Sequence, residues 1–478
     1  MSADTLLVEA LGDDTVVACL EDGILAECVG GRAGDAFGAV YLGRVRQLHD
    51  GLQAAFVDIG LDRDGFLALP EARPPGKAPG GDRIGDYVNE GDAVLVQVLR
   101  DAIETKGPKL TRDITFSGRL LVYTPLQPGS RLSKKTTDAD RERLHTDLTA
   151  LLRADEGVVV RTAASEADRN TLARELAYLR LRWDEAERRH AAARAPAWIL
   201  DGTDPAAELM VRESRSLRRV ATDDARVFAR LKAAAGALAP ELTDRVALES
   251  GNLFEDAGVT EQLEAALEPV LPLAGGGSLI IQETAVGTVI DVNSGGVSGG
   301  TADETVSRVN EAAVDAVVRQ IRLRNLCGRV LVDFLPVRGR RKQDGLLERL
   351  RVEIARVGID AQVCGFTPGG LVEMIRQRRR PPLSAVLAAP CAACGGTGIV
   401  NSPRTLAMAA LRTLISENRA RPGARLSIRA SRAVAEALGG AAGEARRAAE
   451  ERLGRVIAIA IDEAPGAAAF TIEEEDGR

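Results

Sequence analysis

The sequence predicts a multidomain α/β protein with a small closed β-barrel inserted near its start. Three observations lead there. Strand-like and helix-like hydrophobic periods alternate along the chain, five short apolar segments crowd between Gly38 and Arg112, and two later apolar strands each run into an aspartate. The 478 residues are enough for roughly three domains of ordinary size. With 45% hydrophobic and 27% charged residues the composition is that of a globular protein, and at 3% aromatic content any aromatic in a binding loop stands out.

The opening residues alternate as a hairpin, Leu6-Leu7-Val8 and Thr15 to Cys19, then Gly23-Ile24-Leu25 after a turn, belonging to a sheet completed later in the chain. The barrel strands are expected at Val40 to Val45, Ala54 to Ile59, Gly65 to Leu67, Val94 to Val98 and Lys109 to Thr111. Arg73 to Gly81, rich in Pro and Gly, reads as a flexible insertion within the barrel. Strands at Leu120 to Tyr123 and Gly157 to Thr162 follow, then a charged helix from about Glu166 to Ala193 with Leu172, Leu176, Leu179 and Trp183 at helical spacing. Helical pattern is expected from there to about Pro272. Strands Leu279 to Gln282 and Thr288 to Val292, a helix from Thr301 to Leu323, a strand Arg329 to Phe334 and a helix Gly345 to Val357 then form an α/β domain. Residues 403–478 read as a small separate α/β domain.

Composition narrows the partners. No apolar stretch has transmembrane length, and Met1 to Ala10 lacks the basic-then-apolar layout of a signal peptide, so a cytoplasmic location and no membrane span are expected. The six cysteines do not form a disulfide framework; only Cys391 and Cys394 are close, as Cys-x-x-Cys. A net charge of −7 argues against simple electrostatic capture of nucleic acid. Basic residues nevertheless cluster from Arg322 to Lys342 and from Arg376 to Arg380, either as a phosphate-binding face or as solvated helix faces. His49, His145 and His190 have no spacing suited to zinc or a triad and are expected at the surface.

The sharpest chemistry lies in the two aspartates. Thr-Val-Ile-Asp291-Val-Asn293-Ser-Gly-Gly and Arg-Val-Leu-Val-Asp333-Phe each bring a carboxylate to the end of an apolar strand, and alternation puts Asn293 on the side of Asp291. Mg²⁺ is often held by one or two carboxylates plus substrate phosphate, so such a pair suits phosphodiester chemistry. The alternative is that both aspartates merely cap strands at turns.

These segments resemble the ribonuclease E/G family. The likeness rests on Ile-Asp291-Val-Asn293-Ser-Gly, Arg319-Gln320-Ile-Arg322-Leu-Arg324-Asn325-Leu, Val-Leu-Val-Asp333-Phe, Leu371-Val-Glu373-Met374-Ile-Arg376-Gln377-Arg378 and Cys391-Ala-Ala-Cys394-Gly-Gly-Thr-Gly. It extends more weakly over nearly the whole chain, in the family's compact form without a long tail. The resemblance implies an RNase H-like subdomain in two parts (1–35 and 206–270), an OB-fold RNA-binding barrel (36–113) and a 5′-sensor subdomain (114–205). It further implies a DNase I-like catalytic subdomain (271–388), a zinc-link (389–402) and a small C-terminal domain (403–478). The implied activity is single-strand-specific endoribonucleolytic cleavage in RNA processing and decay (rRNA maturation and mRNA turnover), Mg²⁺-assisted and leaving 5′-phosphate ends. A non-catalytic RNA-binding or scaffold protein with the same fold is the alternative, and a zinc-knuckle DNA-binding protein a third.

Residue by residue, the resemblance gives Asp291 and Asp333 to Mg²⁺ with Asn293 in support, and Phe56, Phe66 and Lys106 to RNA on the barrel. Phe56 could instead lie in the barrel core between Ala55 and Val57. Arg161 and Thr162 match a pocket for an RNA 5′-monophosphate, where arginine offers a bidentate fork. Cys391 and Cys394 are half of a four-sulfur Zn²⁺ site shared between two protomers, implying a homodimer, with pairing into tetramers left open. A redox Cys-x-x-Cys would need a thioredoxin-like context that Ala388 to Pro390 does not supply. Two departures stand out. Asp360 occupies the place of a further phosphate-binding arginine, which would weaken 5′-end sensing, and Pro336 follows the second aspartate strand where the family reads Asp-Met, which is expected to alter the loop.

Overall fold

The computed structural model describes residues 3–12, 14–31, 36–76, 80–102, 106–132, 137–296, 301–377, 380–462 and 470–474. The chain divides into two compact units, Met1–Leu387 and Ala388–Arg478. The fold is mixed α/β, with a closed five-stranded barrel inside the first unit.

The opening segment forms three antiparallel strands, Thr5–Leu11, Asp14–Glu21 and Ile24–Gly31. Two parallel strands from far along the chain, Arg219–Thr222 and Val246–Leu248, complete the sheet. Both faces are covered, because alternation sends Leu6 and Val8 into one core and Leu7 into another. The barrel and the subdomain after it are therefore inserted in the chain between Ile24–Gly31 and Arg219–Thr222, two strands of one sheet.

The barrel consists of Val40–His49, Ala54–Asp58, Gly65–Ala68, Lys109–Thr111 and Ala93–Arg100, and the last strand pairs back onto the first. Val45, Val57, Leu67, Val96 and Leu110 fill it. Two glycines permit this closure: a Cβ on Gly43 would come within 2.4 Å of Val57, and one on Gly65 within 2.4 Å of Leu110. The short helix Leu69–Ala72 comes just before the expected Pro/Gly insertion, of which 77–79 lie outside the described residues.

A four-stranded sheet (Phe116–Ser117, Leu121–Thr124, Gly129–Leu132 and Gly157–Val160) follows. The helix Arg169–Ala192 lays Leu172, Leu176, Leu179 and Trp183 on its core, at the expected spacing. Helices recur up to Pro272 as expected, but strands also occur there. Strands Ala197–Leu200, Arg219–Thr222, Val246–Leu248 and Val270–Pro272 interrupt that stretch. Each is three or four residues long, too short for a period of two to stand out against the helical period around it.

The sheet carrying both aspartates has the order Val270–Pro272, Ser278–Glu283, Gly287–Asn293, Gly328–Asp333, Val372–Arg376 and Ala361–Phe366. Only Gly287–Asn293 and Gly328–Asp333 are parallel, and the helix Ala302–Leu323 crosses over between them. That helix and Arg340–Val357 cover one face through Val314, Val317, Val318, Ile321, Leu350 and Ile354. In the second unit, strand Leu426–Ser431 lies between Ile459–Asp462 and Phe470–Glu474, with helices Pro403–Ala420, Arg432–Gly439 and Gly443–Leu453 around the core. Among the described residues no helix is long and apolar enough to cross a membrane.

Candidate active site

Strand Gly287–Asn293 buries Thr288, Ile290 and Val292 and turns Val289, Asp291 and Asn293 to the face opposite the helices Ala302–Leu323 and Arg340–Val357. Strand Gly328–Asp333 does the same, burying Val330 and Val332 and exposing Asp333. The parallel register pairs Asp291 with Asp333, so two carboxylates stand side by side, about 4.8 Å apart at the backbone, on one open face. Both are at the carboxyl ends of their strands, where open α/β sheets bind ligands.

The Asn293 amide donates to Asp291 Oδ2 at 2.9 Å, which orients that carboxylate and leaves its other oxygen for a ligand. The Asp333 side chain makes no hydrogen bond or ion pair among the described residues. No group of three or more His, Cys, Asp and Glu is gathered for a metal among them either. Two oxygen donors without a cationic partner fit Mg²⁺, which keeps waters and takes substrate phosphate, and do not fit a closed zinc cage.

One residue here escaped the reading of the sequence. Asn310, buried in the helix Ala302–Leu323, makes two hydrogen bonds to the backbone of Leu335, just beyond Asp333. The available signal was a lone amide in the apolar stripe of Val309, Ala313, Val314 and Val317.

On the barrel, Phe56 and Phe66 are cross-strand partners, edge to face with ring centroids 5.9 Å apart. Both are half-exposed and neither belongs to the barrel core, so Phe56 is an outer-surface residue. Lys106 is exposed, three residues before Lys109, which pairs with Phe66.

The model of the ribonuclease E/G family matches residues 115–379, which include both aspartates. Ribonuclease G of Salmonella typhimurium is 31% identical over 473 residues, covering 96% of each chain, and that of Haemophilus influenzae is 30% identical over 431 residues, covering 87% of this chain and 88% of its own. The chain belongs to the ribonuclease E/G family. Ribonuclease E of Escherichia coli is 32% identical over 394 residues, which cover 79% of this chain but 37% of that longer protein.

The remaining residues that the family likeness singles out lie apart from the aspartates. Arg161 and Thr162 are exposed at the end of strand Gly157–Val160 and line a cavity of about 1420 Å³ together with Ser214, Arg215 and Gly358. Asp360 is exposed, two residues beyond Gly358. Most arginines around this cavity are already engaged: Arg119 with Glu241 at 2.7 Å, Arg215 with Glu166 at 2.8 Å, Arg380 with Glu208 at 2.7 Å, and Arg212 with Glu27.

The two basic clusters likewise shrink as phosphate-binding faces. Arg322 is 6% exposed and bonds Glu21, Glu27 and Glu213 at 2.8–2.9 Å, tying the helix Ala302–Leu323 to the first sheet. Burial alone would raise the Glu27 carboxyl, but Arg212 and Arg322 outweigh it and hold it at about 2. Arg324 is buried against Gln320 and the Glu268 carbonyl, Arg329 pairs with Glu373, and Lys342 pairs with Asp303. Arg376 donates to the carbonyls of Ile321 and Leu326. Arg378 and Arg379 lie outside the described residues, while Arg338, Arg340 and Arg341 remain exposed. A count of charges along the sequence misses this, because it does not see which cations fold inward onto carboxylates. All three histidines are exposed, as expected.

In the second unit, Cys391 and Cys394 share a tight turn in which the Gly395 N–H donates to the Cys391 carbonyl at 2.7 Å. Backbone N–H groups of Gly398 and Gly396 lower the Cys394 thiol, favouring the thiolate that a metal takes. Gly395, Gly396 and Gly398 have φ of +58°, +89° and +71°, which confines the turn to glycine. The donor set fits half of a tetrahedral zinc site.

Proposed function

We propose that the protein is an endoribonuclease that cuts single-stranded RNA at Asp291 and Asp333. The observation that carries this reading is the register that sets the two carboxylates side by side on an uncovered face, within the segment matched to the family. Asp291 and Asp333 would hold Mg²⁺ and Asn293 would orient Asp291. Bound there, the ion supplies charge neutralisation at the scissile phosphate and a more acidic attacking water. Hydrolysis then leaves a 5′-phosphate and a 3′-hydroxyl.

The barrel is read as an OB-fold. It would take bases on Phe56 and Phe66, with Lys106 near the phosphates, and stacking of this kind is tolerant of sequence. Arg161 and Thr162 would face the RNA 5′ end, where Asp360 opposes a phosphate by charge. The sheet bearing the aspartates is read as DNase I-like and the first sheet as RNase H-like. Cys391 and Cys394 would share a Zn²⁺ with a second copy, giving a homodimer. RNA processing and decay in the cytoplasm is the setting that fits these parts.

The test is cleavage of a labelled single-stranded RNA with Mg²⁺ by the wild-type chain, Asp291→Asn and Asp333→Asn. Internal cuts by wild type alone, with RNA bound equally by all three, support the enzyme. A folded, zinc-loaded wild type that binds RNA but never cuts it, whether 5′-phosphorylated or not, would leave a binding protein in its place.

A further inference from the structure

The stripe of helix Ala302–Leu323 that faces the catalytic sheet is aliphatic at Val309, Ala313, Val314, Val317 and Val318. Asn310 interrupts it at 2% exposure. Asparagine is a weak helix former, and an amide buried without partners is destabilising. Its place in the stripe therefore depends on its hydrogen bonds. Both go to one residue: Nδ2 donates to the Leu335 carbonyl at 2.9 Å, and the Leu335 N–H donates to Oδ1 at 3.0 Å. The side chain thus offers the donor and acceptor that a neighbouring strand would offer.

This clamp begins where the sheet stops. Pairing with strand Gly287–Asn293 ends at Asp291 and Asp333, and pairing with Val372–Arg376 ends at Val332 and Val372. Asp333 is the last residue the ladder holds, and Pro336 lacks the N–H to extend it. Between them, Leu335 is held by Asn310. On the same helical turn, Val309 belongs to the core that also holds Ile290 and Val292 of the other aspartate strand.

We infer that Asn310 is a positioning residue: it fixes the backbone after Asp333 and so sets that carboxylate beside Asp291 for a divalent cation. The inference rests on the reading of the two aspartates given above. An asparagine that served only the fold would be replaceable by leucine, which suits the stripe, with no effect on metal or cleavage.

The experiment uses the full chain as wild type, Asn310→Leu, Asn310→Ser and Asp333→Asn. Mn²⁺ binding is followed by electron paramagnetic resonance, beside kcat and KM on single-stranded RNA and the melting temperature. Asn310→Leu should bind Mn²⁺ about tenfold or more weakly and lose kcat by a similar factor, with KM and melting little changed. Excess Mg²⁺ should recover part of its rate, and none of that of Asp333→Asn. A folded Asn310→Leu with wild-type Mn²⁺ binding and kcat overturns the inference. If that variant does not fold, Asn310→Ser decides by the same measures. A wild type that binds no Mn²⁺ sinks the cation reading of the aspartates itself, a result distinct from the failure of Asn310 alone.

Discussion

On the sheet that carries the two aspartates, Asp291 has an asparagine amide beside it and the Asp333 side chain has no described partner, whereas around the cavity at Arg161 most cations already hold a carboxylate or a carbonyl. The carboxylates stand side by side on one β-face, and among the described residues neither pairs with a cation. Around the cavity a guanidinium also joins segments far apart in the chain: Arg119 reaches Glu241, Arg212 reaches Glu27 and Arg380 reaches Glu208. A charged residue is thus a better guide to function where it lacks an internal partner than where charge is dense.

The comparison can be broken most sharply at the aspartates. Asp291→Asn or Asp333→Asn should lower the rate of RNA cleavage by roughly a thousandfold or more, with the melting temperature unchanged, since several kcal/mol of charge stabilisation are removed from a site the fold does not use. Wild-type cleavage by either variant would move the chemistry elsewhere.

Arg322→Met tests the opposite case. Three partly buried carboxylates lose the buried cation they share, and stability should fall by about 3–5 kcal/mol in chemical denaturation. The same network has a pH signature. Glu27 is held below its ordinary value, so its stabilising contribution is complete above the unfolded value of 4.5 and is lost as pH falls through about 2. Glu27→Gln should flatten the stability profile across that window; an unchanged acid limb would contradict the assignment.

Smaller effects sharpen the picture of the barrel and the cavity. Phe56→Ala and Phe66→Ala should each weaken single-stranded RNA binding by about 1–3 kcal/mol in a titration, with little loss of stability because both rings lie outside the core. Asp360→Arg should raise the preference for 5′-monophosphorylated over 5′-hydroxyl RNA by a few-fold, about what one partly exposed ion pair contributes. No change in that ratio would mean that the arginines lining the cavity are too committed to take a phosphate.

Much of the candidate site could be read from the chain. Asp291 and Asp333 are polar residues in strands that are otherwise aliphatic, and a period of two decides which face each takes. The cross-strand pair Phe56 and Phe66 was recognised by family likeness, and its outward direction needed the barrel to be closed. The short strands between Ala197 and Pro272 were not legible, because their pairing partners lie elsewhere in the sequence: Thr5–Leu11 for one, Val40–His49 for another.

By itself the sequence determined the mixed α/β class, the barrel segments, the long helices and the two aspartate strands, because hydrophobic period and turn residues are local properties of the chain. Tertiary structure alone decided that Asp291 lies beside Asp333, that Arg322 and Arg376 turn inward, and that Asn310 holds the chain beyond Asp333. Those outcomes depend on strand register and on which side chains meet across long separations. A partner dozens or hundreds of residues away leaves no period in the local sequence.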